Sequence, residues 1–323
     1  MTHVPFLRRL IGAVAASALL LGGAQAAAPM VKTQAPGYYR VMVGDFEVTA
    51  LSDGTVALPM DKLLTGTTPA KVQAAFASAF MKTPFETSVN GYLVNTGAKL
   101  VLIDTGAAGL FGPTLGNLLT NLKAAGYQPE QVDEIYITHL HSDHVGGLMN
   151  GAALAFPNAT VRADRREADY WLNPANLAKA PADAKGFFEA AMASLNPYVA
   201  AGKFKPFDAV SGDTELVAGV KAVATPGHTP GHSLYKIESQ GHTLILWGDL
   251  MHAAAVQFAQ PGVTIQFDID SKAAAAQRQR AYAEAAAKGY LIGAAHLAFP
   301  GLGHLRAQGK GYAWVALNYS GLK

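Results

Sequence analysis

The segment from residue 138 to residue 147, which reads T-H-L-H-S-D-H-V-G-G, constrains this chain more than any other. It offers four potential metal ligands within six residues: His139, His141, Asp143 and His144. A short apolar, β-branched run over residues 134–138 precedes them, so we expect the ligands to leave a buried strand and enter a loop. Imidazole and carboxylate groups suit zinc and similar divalent ions. This spacing would let one loop serve two neighbouring ions.

Three further candidate ligands follow downstream, and each comes directly after a short strand-like run. They are His228, Asp249 and His296. In layered α/β folds, ligands gather where loops converge at the ends of strands. The sequence therefore predicts that all seven side chains meet in one metal centre. Two alternatives are a structural metal site and a degenerate scaffold that binds no metal.

The first 26 residues form a separate segment. Arg8 and Arg9 precede an apolar run over residues 10–21, and residues 24–26 read A-Q-A, a cleavage pattern. We expect a signal peptide over residues 1–26, one folded domain over residues 27–323, and export to the periplasm or the medium. A membrane anchor is the alternative, but the run is shorter than the roughly 20 residues that a span needs. The export route, general or twin-arginine, stays open.

Charge and cysteine content narrow the function classes. Arg8 and Arg9 account for the whole formal net charge of +2, so cleavage after Ala26 leaves a neutral chain. A neutral chain lacks the basic surface that nucleic acid or an anionic membrane requires, so we expect neither partner. The 323 residues include no cysteine, which excludes both disulfides and thiolate ligands.

Local patterns predict the elements that carry these residues. Alternating residues 38–43 and 46–51 predict a hairpin, with a second turn at residues 52–54. A strand, helix and strand in succession before residue 138 predict a crossover and parallel pairing. The Ala-rich residues 271–288 predict a helix that is capped by Ser271 and ends at Gly289.

The ordered pattern H-x-H-x-D-H, then a P-G-H-T-P-G-H turn, then G-D and a last histidine resembles the metallo-β-lactamase superfamily across essentially the whole mature chain. The resemblance implies an α/β (α+β) fold, a four-layer αββα sandwich in a single domain, with a dinuclear site at its edge. It implies one metal on His139, His141 and His228, a second on Asp143, His144 and His296, and Asp249 as the bridge. Asp104 matches a family residue that orients the site through hydrogen bonds.

Five segments resemble methyl parathion hydrolase and its lactonase relatives more closely. They are GYYR (residues 37–40), GDFE (44–47), GYLVNTG (91–97), DTGAAGLFG (104–112) and HLAFPG (296–301). Those relatives are exported dizinc hydrolases and typically homodimers, so the resemblance implies two zinc ions and a homodimer here. Leu63 and His252 depart from the parathion-hydrolysing pattern, which has arginine and an aliphatic residue there. These departures favour lactone and aryl-ester substrates.

Eight residues are predicted to line the substrate pocket. The resemblance points to aromatic walls, and further residues would set the size of the pocket: Leu63, Phe111, Trp171, Phe187, Phe188, His252, Ile265 and Phe267. Aromatic residues on helices also commonly belong to a core, and His252 could instead cap a helix. His232 is expected to make structural hydrogen bonds.

These features predict a dinuclear zinc hydrolase. Two neighbouring cations lower the pKa of a shared water, and the resulting hydroxide attacks a small uncharged lactone or aryl ester. Asp143 and Asp249 are the expected catalytic side chains, and weak hydrolysis of phosphotriesters is expected beside the main activity. One alternative is an organophosphate triesterase like methyl parathion hydrolase, and another is an inactive metal-binding protein. The natural substrate and the metals used in the cell stay open.

Overall fold

The computed structural model of the chain describes Met1, residues 28–209 and residues 212–322. The predicted signal peptide, apart from Met1, therefore lies outside the described residues. The chain divides into two compact units, Met1–Ala35 and Pro36–Lys323. Residues 28–35 of the first unit form neither helix nor strand. Among the described residues, no helix combines the length and the apolar character that crossing a membrane would require.

The described residues of the second unit form seventeen strands. In chain order these are β1 (Tyr38–Val43), β2 (Phe46–Leu58), β3 (Leu64–Thr65), β4 (Phe85–Asn95), β5 (Leu100–Ile103), β6 (Glu134–Tyr136), β7 (Met149–Asn150), β8 (Ala153–Leu154), β9 (Thr160–Arg162), β10 (Asp213–Val217), β11 (Val220–Ala224), β12 (Ser233–Ser239), β13 (His242–Leu246), β14 (Thr264–Ile265), β15 (Leu291–Gly293), β16 (Leu302–Gln308) and β17 (Gly311–Ala316).

Helices connect these strands. The described α-helices are α1 (Met60–Leu63), α2 (Pro69–Ser78), α3 (Leu118–Ala124), α4 (Ser142–Val145), α5 (Arg165–Trp171), α6 (Pro174–Lys179), α7 (Lys185–Ala200), α8 (Ala254–Gln257) and α9 (Ser271–Lys288). Short 3₁₀ turns lie at Pro129–Gln131, Gly146–Leu148 and Gly248–Leu250.

The strands pair into two large sheets. The first has the order β1-β2-β4-β5-β6-β9, and the second β10-β11-β12-β13-β15-β16-β17. β5 and β6 pair in parallel, as the predicted crossover requires. β6 also pairs in parallel with β9, and β13 with β15. The short pairs β3-β14 and β7-β8 lie apart from the large sheets.

Alternation along the central strands explains the layers, because neighbouring residues enter different cores. Val94 of β4 packs between the two sheets, in a core that Tyr235 and Leu246 complete from the second sheet. Leu93 points the other way, into a core that is shared with α3, α5 and α7. On the outer face of the second sheet, Ile245 packs against α9. The resulting αββα sandwich confirms the predicted fold class.

The structure corrects two local predictions. Residues 52–54 do not form a turn, because β2 runs on to Leu58 through a bulge between Ser52 and Gly54. The bulge presents the Asp53 carboxylate to the backbone N–H groups of Ala107 and Leu118, 2.9 and 3.0 Å away. The cap of α9 is Asp270 rather than Ser271, since Asp270 Oδ1 accepts a hydrogen bond from Ala273 N at 2.9 Å. Gly289 ends that helix at φ +67°, as predicted.

Candidate metal centre

Strand β6 delivers the histidine-rich segment to the edge of the first sheet. The chain turns at His141 into α4, and this single helical turn carries Asp143 and His144. Two glycines then let the backbone pass close to the neighbouring loop. A Cβ on Gly146 or Gly147 would collide with the carbonyl oxygen of Ala107 or Thr105, respectively. The ligand loop therefore needs glycine at both positions.

The three downstream candidates reach the same place from the second sheet. His228 follows β11, Asp249 lies in the 3₁₀ turn after β13, and His296 follows β15. All three are at least 95% buried. The C-terminal ends of three strands of the second sheet thus supply one ligand each, because the sheet brings their connecting loops to a common edge.

The structure brings the seven predicted ligands into two adjoining groups. His139, His141, His228 and Asp249 form one group, and Asp143, His144 and His296 form the other; within each group the candidate ligand atoms lie within 4.8 Å of one another. Asp249 lies between them. Its Oδ1 is 3.0 Å from Nε2 of both His144 and His296, and its Oδ2 is 3.2 Å from Nε2 of His228.

Several of these inward atoms are buried and have no hydrogen-bond partner among the described residues. They are Nε2 of His139, Nε2 of His144 and Oδ1 of Asp249. A buried polar atom without a partner costs about 1–3 kcal/mol, so a natural site rarely leaves three together unless a ligand completes them. Imidazole and carboxylate are donors that divalent zinc accepts. The arrangement therefore fits two divalent cations.

The electrostatics of the two groups are strongly coupled. Burial raises the pKa of the Asp249 carboxyl, but the surrounding imidazoles, led by His144 and His296, outweigh burial and hold that pKa well below its usual range. Burial lowers the pKa of His139 and of His141 well below the usual value, and neighbouring imidazoles add to the effect. The ionised carboxylate of Asp249 and the neutral rings of His139 and His141 are the forms in which these three groups bind a metal ion.

A buried carboxylate orients one imidazole of the second group. Oδ2 of Asp104 lies 2.8 Å from Nδ1 of His144 and accepts a hydrogen bond from Oγ1 of Thr138 at 2.8 Å. Oδ1 of Asp104 accepts a further hydrogen bond from Thr138 N at 2.8 Å. Because Asp104 binds Nδ1, Nε2 of His144 is left to face the centre. Asp104 therefore lies where the family resemblance placed it, behind the ligands and hydrogen-bonded to one of them.

Asp268 orients an imidazole of the first group, and it was not predicted from the sequence. Its Oδ1 lies 2.8 Å from Nδ1 of His228, and the backbone N–H groups of Ile269 and Asp270 donate to the carbonyl oxygens of His228 and Gly227 at 2.9 Å. Burial lowers the pKa of His228, but hydrogen bonds to Asp249 and Asp268 outweigh burial and raise it to about 9. In sequence, Asp268 is one aspartate in a loop and carries no distinctive spacing.

Glu167 on α5 was also missed, although it joins the two ligand loops. Its side chain is fully buried, and its two oxygens accept hydrogen bonds from Leu140 N at 3.0 Å and Gly231 N at 2.6 Å. Burial raises the pKa of this carboxyl. The surrounding R-R-E-A-D sequence is typical of a solvated helix face, so nothing local distinguishes Glu167.

His232 makes structural hydrogen bonds beside the centre. Its Nε2 accepts a hydrogen bond from Asp249 N at 3.1 Å, and its Nδ1 lies 2.8 Å from Oγ1 of Thr225. Burial and the nearby His228 lower the pKa of His232 to about 3. A neutral ring is the form that can accept the backbone proton of Asp249.

A narrow cavity opens over the two groups. Apolar side chains form much of its wall, and candidate ligands lie at its floor; the lining residues are Val56, Leu58, Phe111, His141, Ser142, Asp143, Phe187, Asp249, His252, Phe267 and His296. Phe111, Phe187, His252 and Phe267 were predicted pocket residues. His252 stacks on His296 and places its Nε2 3.0 Å from Asp249 Oδ2, so it lines the cavity rather than capping a helix.

The structure places the other four predicted pocket residues away from the wall. Trp171 and Phe188 pack on each other behind His141, with ring centroids 4.6 Å apart, in the core between α5 and α7. Ile265 is fully buried, and Leu63 packs beside it against a small core beneath α1 and α2. The β3-β14 pair draws this segment inward, which is why neither side chain reaches the cavity.

Comparisons with known proteins agree with this arrangement. Residues 84–292 match the model of the metallo-beta-lactamase superfamily. N-acyl homoserine lactonase from Bacillus sp. is 32% identical over 168 residues, which are 46% of this chain and 58% of that protein. The enzyme of the same name from Bacillus cereus is 30% identical over 174 residues, 48% of this chain and 60% of that protein. The matches thus span about three fifths of these relatives' length.

Two solved structures resemble the chain over most of its length. The hydrolase AbOPH, described as a member of the beta lactamase superfamily, is 40% identical, with a TM-score of 0.84 over 90% of this chain and 100% of that chain. AidC, described as a dizinc quorum-quenching lactonase and solved with a product, is 26% identical, with a TM-score of 0.80 over 88% of this chain and 99% of that chain.

Proposed function

This chain belongs to the metallo-beta-lactamase superfamily, and on that premise we propose that it is a dinuclear zinc lactonase for small uncharged lactones. It is a hydrolase of this family with homology to N-acyl homoserine lactonases. The proposal adds three things: the number of metal ions, their identity as zinc, and the substrate class.

One observation carries the proposal: the Asp249 carboxylate lies between two groups of candidate ligands at the floor of an apolar cavity. His139, His141 and His228 would hold one ion, and Asp143, His144 and His296 the other, with Asp249 reaching both. When bound, two such ions lower the pKa of a water molecule and polarise a substrate carbonyl.

The cavity wall favours uncharged substrates. Phe111, Phe187 and Phe267 present aromatic surface, and Val56 and Leu58 extend it. No lysine or arginine is among the described residues that line the cavity, so nothing there compensates a negatively charged substrate. A lactone ring with an apolar substituent fits this surface, and burial of its apolar part also removes water from the reacting carbonyl.

The chain's own carboxylates give the reaction a route for its protons. In the proposed hydrolysis, water oxygen bonds to the carbonyl carbon, the ring C–O bond breaks, and a hydroxy acid forms. Asp143 lies on the cavity wall with its side chain 13% exposed, 3.5 Å from His296 Nε2. We assign it the transfer of a proton from the attacking water to the leaving ring oxygen. Asp249 contacts both ligand groups and holds them at a fixed separation.

Aryl esters and phosphotriesters are proposed as side substrates. The aromatic wall can pack against an aryl leaving group, which aryl esters and parathion-type triesters carry. We expect triester hydrolysis to be weak because a tetrahedral phosphorus centre is bulkier than a planar carbonyl, and the cavity is narrow. Export of the mature domain and assembly into a homodimer also stay predictions.

The test is a substrate panel on the mature chain, residues 27–323, after reconstitution with zinc. The panel holds an N-acyl homoserine lactone, dihydrocoumarin, an aryl acetate and a parathion-type triester, and the same preparation is assayed for metal content. We expect two zinc ions per chain, the highest kcat/KM for the lactones, and loss of turnover after chelation. Two bound ions without turnover would indicate a metal-binding protein. A preference for the triester would indicate an organophosphate hydrolase.

A further inference from the structure

The buried face of α9 carries one charged residue, Arg278. This face otherwise consists of Ala274, Ala281, Tyr282 and Ala285, and Arg278 is fully buried among them. Burying a guanidinium is unfavourable unless hydrogen bonds and an opposite charge compensate it. The compensation that Arg278 finds lies in the segments that hold the metal centre.

The guanidinium contacts two backbone segments that flank ligand residues. Its Nε donates to the carbonyl oxygen of Leu250, the residue after Asp249, at 2.6 Å. Its Nη1 donates to the carbonyl oxygens of Val263 at 2.7 Å and Pro261 at 3.1 Å, in the segment that leads to Asp268. Arg278 thus joins the turn of Asp249 to the loop of Asp268.

The remaining nitrogen faces Asp268 itself. Nη2 lies 3.9 Å from Oδ2 of Asp268, both side chains are fully buried, and Nη2 has no hydrogen-bond partner in the described part of the chain. The other oxygen of Asp268 bonds to His228, as described above. The positive charge of Arg278 therefore stabilises the carboxylate that orients His228.

We propose that Arg278 is a positioning residue for the ligand group formed by His139, His141, His228 and Asp249. It acts through two routes, the Leu250 carbonyl that fixes Asp249 and the Asp268 carboxylate that fixes His228. The inference rests on the proposed metal-dependent function, but it concerns metal affinity rather than the choice of substrate. The group of Asp143, His144 and His296 lies outside the Asp268 route, and Asp249 alone connects it to the Leu250 route.

The test measures zinc affinity by competition with a chromogenic chelator on the mature chain. We expect Arg278→Met to lower the affinity for one of the two zinc ions by about 10- to 100-fold, the range found for partners that orient metal ligands. The affinity for the other ion should change by no more than a few-fold. Arg278→Lys keeps the charge but loses the fork of donors, so an intermediate loss is expected. Arg280→Met is the matched control, because Arg280 lies on the same helix and is exposed.

A double-mutant cycle separates positioning from plain stabilisation. Asp268→Asn removes the charge, but the amide oxygen can still accept a hydrogen bond from His228. We expect this variant to lower the affinity for the same zinc ion. The double variant Arg278→Met, Asp268→Asn should lose less zinc affinity than the product of the two single losses, because both changes act on the Asp268 route. If Arg278→Met does not fold, Arg278→Lys and Asp268→Asn carry the test.

The outcomes distinguish this inference from the proposed function. A lower melting temperature of metal-free Arg278→Met with unchanged affinity for both ions would make the residue merely structural and overturn the inference. Losses that multiply in full in the double variant would exclude the Asp268 route and so overturn the inference as well. Failure of the unmodified chain to bind two ions or to open lactones would instead refute the proposed function.

Discussion

Nδ1 of His228 lies 2.8 Å from Oδ1 of Asp268, the same distance that separates Nδ1 of His144 from Oδ2 of Asp104. Each ligand group thus contains one imidazole that a buried carboxylate orients. The two carboxylates come from opposite halves of the sandwich, since Asp104 follows β5 of the first sheet and Asp268 precedes α9. The centre therefore depends on both halves not only for its ligands but also for their orientation.

The first prediction follows from this pairing. Asp104→Ala should lower the affinity for the zinc ion at Asp143, His144 and His296. Asp268→Ala should lower the affinity for the zinc ion at the other group. A loss of about 10- to 100-fold in zinc affinity is expected in each case, because an unoriented imidazole spends less time in the binding geometry. Competition titration with a chelator measures both ions.

Asp270→Ala provides the control for Asp268→Ala. Asp270 lies two residues further on and caps α9 through Ala273 N, so its loss should lower the free energy of unfolding by about 0.5–2 kcal/mol without changing zinc affinity. If Asp104→Ala and Asp268→Ala lower the affinity for the same zinc ion, the assignment of one carboxylate to each group is incorrect.

The second prediction concerns Asp249, whose oxygens face both groups. Asp249→Ala should reduce lactone hydrolysis by at least about a hundredfold, more than His296→Ala, because its loss removes negative charge from both groups while His296 serves one. Steady-state kinetics and metal content of the two variants measure the difference. An equal or milder effect of Asp249→Ala would mean that another group connects the two sites.

The third prediction tests Glu167 as the link between the two ligand loops. Glu167→Ala leaves the N–H groups of Leu140 and Gly231 without their acceptor, and each such loss costs about 1–3 kcal/mol. We expect the free energy of unfolding of the metal-free chain to fall by at least about 2 kcal/mol in urea titration. Glu189→Ala, at an exposed position on α7, should change it by less than about 0.5 kcal/mol. Similar values for both variants would remove Glu167 from this role.

The ligand set could be predicted because each of its members breaks a local rule. A histidine or aspartate directly after an apolar strand-like run is poorly explained by packing, and seven such residues in order are distinctive. Asp104 could be placed because it matches a residue of the family pattern. The sandwich was implied by the family resemblance, and strands such as β4 show why it forms, since Leu93 and Val94 are both apolar and enter different cores.

The other residues that support the ligands could not be predicted, because their partners are distant in sequence. Glu167 and Arg278 lie in charged or Ala-rich helical sequences that are typical of solvated surfaces, and only the packing of α5 and α9 buries them. Asp53 lies in a sequence typical of a turn, yet a bulge keeps it in a strand. The pocket wall was only half predicted, since periodicity cannot tell whether a buried aromatic such as Trp171 faces a cavity or a core.

The fourth prediction concerns export. If residues 1–26 are a signal peptide, the mature N-terminus lies at or within a few residues of Ala27, in the periplasmic or secreted fraction. Fractionation followed by N-terminal sequencing measures it. Ala16→Arg places a charge in the middle of the apolar run over residues 10–21, so it should retain the precursor in the cell. Intact Met1 on soluble cytoplasmic protein would contradict export.

The last prediction concerns substrate choice and His252. The cavity is apolar and narrow, and an aryl lactone places its carbonyl and its leaving oxygen side by side over the two ligand groups. Aryl-lactone hydrolysis should therefore exceed parathion-type hydrolysis in kcat/KM. His252→Leu should shift the ratio toward the triester, because it removes a ring from the wall and also the contact of His252 Nε2 with Asp249. His242→Leu, at an exposed position, should leave the ratio unchanged. A triester preference of the unmodified chain, or an unchanged ratio in His252→Leu, would refute this account of the wall.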